Sequence, residues 1–194
     1  MPTNDYLKHN LQKKITRFTL IFLLVLAVCY FGMRWLTGAT VEGGYYNEFL
    51  ATYFNVTSWL RASILNSTRA LFHLFGVATI QVDDYVVKTV TGRGIKLVYG
   101  CLAIGIMSFW VAFTAAVPAK WSMKLRWMLG GLLLIWCLNV LRISMVLWAN
   151  YAHWHFPFGW DHHTWFNIIT YIAVLLMVYF FDKQSHFLAT DEAG

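Results

Sequence analysis

The sequence predicts an all-α integral membrane bundle of about four transmembrane helices, with an amphipathic helix and a small β-hairpin on the outer face. Three observations predict this fold class. Of the 194 residues, 59% are hydrophobic and 12% are charged, whereas soluble domains carry about 25% charged residues. Four apolar stretches approach the roughly 20 residues that a helix needs to cross a bilayer. The basic residues cluster in some of the intervening loops and are absent from others, which is typical of loops on opposite sides of a membrane.

The first apolar stretch, 18–36, follows a tail over residues 1–17 that contains four Lys and Arg residues. No small-residue cleavage site follows the stretch, so the pattern favours a retained transmembrane helix over a removed signal peptide. Arg34, near the far end of this helix, is expected to snorkel to the interface. The other three predicted spans cover residues 97–117, 127–148 and 164–181.

The distribution of Lys and Arg predicts the orientation of these spans. The 118–126 loop contains three of these residues and the 149–163 loop contains none. Because cytoplasmic loops are enriched in Lys and Arg, we expect a multi-pass protein of the cytoplasmic membrane. Residues 1–17, 118–126 and a tail over 182–194 would then be cytoplasmic. The three spans over 97–181 would form a transmembrane core, with the 149–163 loop facing the outside or periplasm.

Residues 37–96 are predicted to lie on the outer side. The segment 47–75 places aromatic residues and leucines at helical spacing but also contains Arg61 and Arg69, which favours a helix on the membrane surface over a fifth span. Alternating β-branched residues around a glycine-containing turn over 79–98 then indicate a small hairpin.

The charge and cysteine content exclude some classes of function. The net charge is +6, but the basic residues lie between apolar segments and form no single stripe, so we expect no nucleic-acid partner. Three scattered cysteines in apolar settings predict free thiols. No cofactor or metal is expected, and the predicted environment is the lipid bilayer.

Three residues that lie far apart in the sequence are candidates for a catalytic site. A helix rises about 1.5 Å per residue, and by this measure Cys101, Arg142 and His163 lie at similar depth near the outer face. A cysteine nucleophile needs its thiolate. His163 is the candidate base, and Arg142 is the candidate donor to a thiolate or oxyanion. Asn139 shares the helix face of Arg142 and could orient either group. Taken singly, a buried cysteine, an interfacial histidine and a snorkelling arginine are ordinary features of membrane helices.

His162 is the neighbour of His163, and on a helix the two side chains point about 100° apart. Asp161 precedes both and suits a helix N-cap. Asn167 lies four residues after His163 on the same face. This pattern favours His163 as the base, with His162 and Asn167 in supporting positions.

Three segments resemble the motifs of the exosortase/archaeosortase family, in particular its short bacterial members. They are the Cys motif in 98–105, the Asn-x-x-Arg motif formed by Asn139 and Arg142, and the His motif in 161–167. The resemblance covers roughly residues 76–181. Two departures are visible: the family often has Cys-Ser-Gly where this chain has Cys-Leu-Ala at 101–103, and the usual glycine after the histidine is Asn167.

This resemblance implies a membrane-embedded cysteine protease or transpeptidase. The substrates it implies are secreted proteins with a C-terminal sorting signal, composed of a short motif, a transmembrane helix and a basic tail. The enzyme would cleave the signal at the outer membrane–water interface and transfer the protein to an acceptor amine. Cys101, Arg142 and His163 would be the catalytic residues.

Two other functions stay open. A membrane protein that binds a metal or haem is suggested by four histidines in or beside the outer loop, although no His-x-x-Glu-His array accompanies them. They are His153, His155, His162 and His163. A non-catalytic membrane assembly factor would also explain the apolar segments, but it would leave the alignment of Cys101, Arg142 and His163 to chance.

Overall fold

The computed structural model describes residues 3–41, 43–90, 94–152 and 162–190, and it describes side chains at positions 9, 12–41, 43–90, 94–152, 165 and 167–185. The chain is mostly helical, with a small three-stranded sheet. The helices are α1 (Thr3–Thr40), α2 (Glu48–Tyr53), α3 (Val56–Leu74), α4 (Ile104–Ala116), α5 (Trp121–Tyr151) and α6 (His162–Thr190). The strands are β1 (Thr79–Gln81), β2 (Val86–Thr89) and β3 (Gly94–Lys96), and a 3₁₀ turn covers Tyr99–Cys101.

Three of the helices are long and apolar enough to cross a membrane. The apolar portions are Gln12–Thr40 of α1, the whole of α5, and Asn167–Ser185 of α6. Many large apolar side chains on these helices face outward; Leu24 and Leu175 are 66% and 67% exposed. Water does not favour so much exposed apolar surface. The helices therefore indicate a lipid bilayer as the environment of the protein.

The predicted span over 97–117 is not confirmed as one continuous helix. The helix α4 begins only at Ile104 and has 13 residues, about 20 Å at the helical rise, which is shorter than a bilayer core of about 30 Å. The chain before it forms the 3₁₀ turn, and Ala103 has a left-handed backbone with φ of 57°. This conformation interrupts a helix, and no hydrophobicity pattern reveals it. The structure thus contains three span candidates among its described residues.

Helices α1 and α6 also extend beyond the predicted limits of their spans. The helix α1 starts at Thr3, so described residues of the predicted 1–17 tail continue the first span as helix. Helix α6 starts at His162 and runs to Thr190, into the predicted 182–194 tail. The polar residues of both tails can adopt a helical conformation. The change from apolar to polar residues therefore marked the limit of the predicted span but not the end of the helix.

The predicted amphipathic helix over 47–75 is two helices. Asn47 and Asn55 cap α2 and α3, since their side-chain oxygens accept hydrogen bonds from the backbone N–H groups of Leu50 and Ser58 at 3.1 and 3.0 Å. One face of α3 packs against α5, and Arg61 of α3 is buried. The guanidinium carbon of Arg61 lies 4.0 Å from the centroid of the Tyr85 ring. This cation–π contact explains how α3 accommodates a buried arginine.

The predicted hairpin is a three-stranded antiparallel sheet. Strand β2 is central and pairs with both β1 and β3, with Ile80 opposite Lys88 and Val87 opposite Ile95. Gly94 lies so close to Lys88 that a Cβ at this position would come within 2.7 Å of the Lys88 Cβ. The predicted turn between β2 and β3 falls mainly on residues 91–93, which are outside the described residues.

The helices enclose two hydrophobic clusters at opposite ends of the bundle. The cluster at the Cys101 end joins α3, β2, α4 and α5 through residues such as Leu65, Val87 and Leu147. The cluster at the Trp110 end joins α4, α5 and α6, and its members include Trp110, Met123, Ile135, Met177 and Phe181.

Helix α1 belongs to this bundle rather than standing outside it. It packs along α4 more extensively than any other described pair of elements packs together. The predicted 97–181 core is therefore incomplete, because a fourth helix from the N-terminal part of the chain covers α4.

Candidate active site at the Cys101 end

Cys101 is the last residue of the 3₁₀ turn that precedes α4. The turn is anchored on both sides, because Leu97 and Leu102 are almost fully buried in the cluster at the Cys101 end. The backbone N–H groups of Cys101 and Leu102 donate to the carbonyls of Val98 and Tyr99 at 2.9 and 3.1 Å. Cys101 therefore lies on a short turn before α4, whereas the sequence predicted it within a continuous transmembrane helix.

The left-handed residue Ala103 closes this turn. Residues other than glycine pay about 1–2 kcal/mol for a left-handed conformation. Ala103 occupies the position at which the Cys-Ser-Gly sequence of the resembled family has glycine. The backbone at this position thus has the conformation that glycine adopts most readily, even though the chain carries alanine there.

Asn139 connects the second motif to the cysteine turn. Its side-chain amide nitrogen donates a hydrogen bond to the backbone carbonyl of Cys101 at 2.8 Å. Asn139 is 4% exposed, and a buried amide that lost this acceptor would be costly. The hydrogen bond joins α5 to a residue 38 positions earlier in the chain. It holds the cysteine turn beside Asn139 of α5.

A cavity of about 330 Å³ lies beside the turn. Four parts of the chain contribute to its wall: α1, the cysteine turn with the start of α4, α5, and α6. Its polar lining residues are Tyr30, Arg34, Tyr99, Asn139, Arg142, Asn167, Thr170 and Tyr171, and the remaining wall is formed by glycines, Ala103 and three isoleucines. Arg142, Asn139 and Asn167 are thereby brought to one cavity from two different helices.

The side chain of Cys101 is not among the residues that line this cavity, although Gly100 and Ala103 on either side of it are. Cys101 is a partly buried free thiol that packs against the apolar cluster. Cys29 and Cys137 are also free and partly buried. The structure therefore places the cysteine turn at the cavity, with the thiol on the side of the core.

The histidine assignment lies mostly outside the described part of the chain. His162 and His163 are in the first turn of α6, but their side chains are not among those described, and neither are Asp161, His153 and His155. Asn167, four residues after His163, lines the cavity. The described residues contain no group of three or more His, Cys, Asp or Glu side chains that could hold a metal ion.

Arg34 is the site residue that sequence reasoning missed. It was expected to snorkel at the end of the first span, but it lines the same cavity as Arg142. Both arginines lie near the outer ends of their predicted spans, so their similar depth was a visible signal. What the sequence did not show is that α1 packs against α4 and so brings Arg34 to the site.

No protein-family profile, curated protein or solved structure matches this chain.

The arrangement suits reactions in which negative charge develops on oxygen. The Arg142 guanidinium and the side-chain amides of Asn139 and Asn167 supply hydrogen-bond donors to one partly apolar cavity. Donors that are held in place in such a setting stabilise an oxyanion more strongly than they would in water. A carbonyl group placed between the cysteine turn and Arg142 would meet these donors.

Proposed function

We propose that this chain is a membrane-embedded cysteine peptidase or transpeptidase of the exosortase/archaeosortase type. In this proposal four segments cross the membrane, with the cysteine turn and α4 forming the second crossing. The Cys101 end faces outward from the cytoplasmic membrane. The substrates are secreted proteins with a C-terminal motif, a transmembrane helix and a basic tail, which the enzyme cleaves and transfers to an acceptor.

The observation that carries the proposal is the hydrogen bond from Asn139 to the backbone carbonyl of Cys101. It ties the Asn-x-x-Arg segment to the cysteine turn, and Arg142 of the same segment lines the adjacent cavity. The His-motif segment contributes Asn167 to that cavity. The three segments that resemble the motifs of one family thus all contribute residues to the same cavity.

The proposed reaction proceeds in two steps. The Cys101 thiolate attacks the carbonyl carbon of the scissile peptide bond, and Arg142 donates hydrogen bonds to the oxyanion. The C–N bond breaks, the leaving amine takes a proton from protonated His163, and a thioester to Cys101 remains. An acceptor amine then attacks the thioester, His163 takes its proton, and the Cys101 thiolate leaves. For attack, the Cys101 side chain turns from the apolar cluster toward the cavity.

A second function, that of a non-catalytic membrane assembly factor, is favoured by one observation. The Cys101 side chain packs against the apolar cluster and does not line the cavity. In that function Cys101 would be a core residue and the cavity would serve binding alone.

Processing of a substrate by cysteine variants separates the two functions. A suitable substrate is a secreted protein that is encoded beside this chain and ends in a motif, an apolar helix and a basic tail. We expect Cys101→Ala to abolish cleavage of this substrate. Cys29→Ala and Cys137→Ala are the controls, because those thiols are also partly buried, and we expect both variants to retain cleavage. Full cleavage by Cys101→Ala at matched expression would reject the cysteine enzyme.

The two adjacent histidines give a second test. His163→Ala is expected to eliminate turnover and His162→Ala only to weaken it, because the two side chains diverge by about 100° on a helix. Cleavage assays at matched expression measure both. An active His163→Ala beside an inactive His162→Ala would transfer the role of base to His162.

A further inference from the structure

The cavity at the Cys101 end has a charge pattern that peptide cleavage does not account for. Arg34 enters its wall from α1, and Arg142 enters from α5. Two guanidinium groups on one concave, partly apolar wall attract anions, because each carries a permanent positive charge.

The rest of the wall divides the cavity into polar and apolar parts. Ile104, Ile106 and Ile135 form apolar wall, whereas Asn139, Asn167 and Thr170 offer uncharged polar groups. Tyr99 also lines the cavity. An anionic ligand with an apolar portion matches this division.

The placement of the two arginines indicates the chemical class of the anion. The guanidinium group presents its N–H donors in a planar fork that matches phosphate oxygens. Arg34 and Arg142 belong to different helices, so one ligand that binds both needs acceptor oxygens for two forks. A phosphate group offers more acceptor oxygens than a carboxylate does, and it is the better match for two arginines.

We infer that this cavity binds a phosphate group through Arg34 and Arg142. The group can come from two sources: the headgroup of a phospholipid, whose glycerol and acyl chains follow the apolar wall, or a free phosphate anion. The inference does not rest on the proposed cysteine chemistry. Arg34, which has no part in that chemistry, is the residue that distinguishes phosphate binding from oxyanion stabilisation.

Binding to the purified full chain in a maltoside detergent tests the inference. The probes are dihexanoyl phosphatidic acid, the uncharged dihexanoylglycerol with the same acyl chains, and inorganic phosphate. We expect phosphatidic acid to bind about tenfold more tightly than dihexanoylglycerol, because charge-assisted hydrogen bonds contribute on that order. Equal binding of the two lipids to the wild-type chain would overturn the inference, and this comparison needs no variant.

The variants locate the site. Arg34→Gln is expected to weaken binding of phosphatidic acid about tenfold, and Arg34→Lys less, because it keeps the charge but loses the fork. Arg126→Gln is the control, since Arg126 lines a different cavity with Trp127 and Met177. Equal losses in Arg34→Gln and Arg126→Gln would also overturn the inference.

A further arm identifies the source of the phosphate group. Weak displacement of phosphatidic acid by inorganic phosphate supports a lipid headgroup, whereas displacement at equal concentrations supports free phosphate; both outcomes support a phosphate site.

Discussion

The two ends of the helical bundle differ in what accompanies their apolar packing. At the Trp110 end, α4, α5 and α6 close around aromatic rings, and Trp110 is fully buried with its indole N–H donating to the Trp127 carbonyl at 3.0 Å. At the Cys101 end, α3, β2, α4 and α5 also enclose an apolar cluster, but the cavity beside it carries two arginines and two amides. Packing therefore stabilises both ends, and the Cys101 end adds donors that packing alone would not require.

After the loss of Cys101 or His163, the largest effect on activity is expected from Arg142, which lines the cavity at the Cys101 end. If its planar fork donates to an oxyanion, Arg142→Lys should lower the cleavage rate about 100-fold, nearly as much as Arg142→Ala, because loss of an oxyanion donor costs on that order. Rates of substrate cleavage at saturation measure this effect. A lysine variant close to wild type would show that Arg142 acts only as a charge at the interface.

The largest effect on stability is expected at the Trp110 end. A Cβ on Gly131 would overlap the indole nitrogen of Trp110, so Gly131→Ala should lower the free energy of unfolding by about 3 kcal/mol through overpacking and a strained hydrogen bond. Denaturation with increasing SDS in a mild detergent measures this quantity.

The adjacent glycine is the matched control for that variant. Gly130 has open space where a Cβ would be placed, so Gly130→Ala should raise the free energy of unfolding by up to about 1 kcal/mol through its higher helix propensity. Similar effects of the two alanines would mean that Trp110 does not lie against Gly131 in the folded protein.

The smallest effect is expected at the left-handed residue of the cysteine turn. Ala103→Gly should raise the free energy of unfolding by about 0.5–1 kcal/mol, because the relief of the left-handed conformation exceeds the entropy that glycine adds to the unfolded chain. Ala112→Gly, in the buried middle of α4, should lower it by at least about 1 kcal/mol. A loss of stability at both positions would contradict a strained Ala103.

The sequence predicted the parts of this fold that depend on apolar length. The helices α1, α5 and α6 follow from long uninterrupted apolar runs, since a helix must cover the bilayer thickness wherever it packs. The start of α4 did not follow, because Leu97 and Leu102 are as apolar inside a turn as they would be in a helix. The break at Ala103 is a backbone property that hydrophobicity does not encode.

The site shows a similar division between local and long-range information. The shared face of Asn139 and Arg142 was predictable, since residues three apart on a helix are neighbours. The hydrogen bond from Asn139 to the Cys101 carbonyl and the arrival of Arg34 depend on how α5 and α1 pack against other parts of the chain. Such contacts join positions far apart in sequence, and no local pattern specifies them.

The central claim, that Cys101 acts as a nucleophile, is tested most directly by the covalent intermediate. A reaction between the full chain and its substrate, stopped with acid during turnover, can be digested and mapped by mass spectrometry. The account predicts a substrate fragment on the peptide that contains Cys101, removable by hydroxylamine as a thioester is, and none on the peptides of Cys29 or Cys137. Continued cleavage of substrate with no thioester at Cys101 would contradict it.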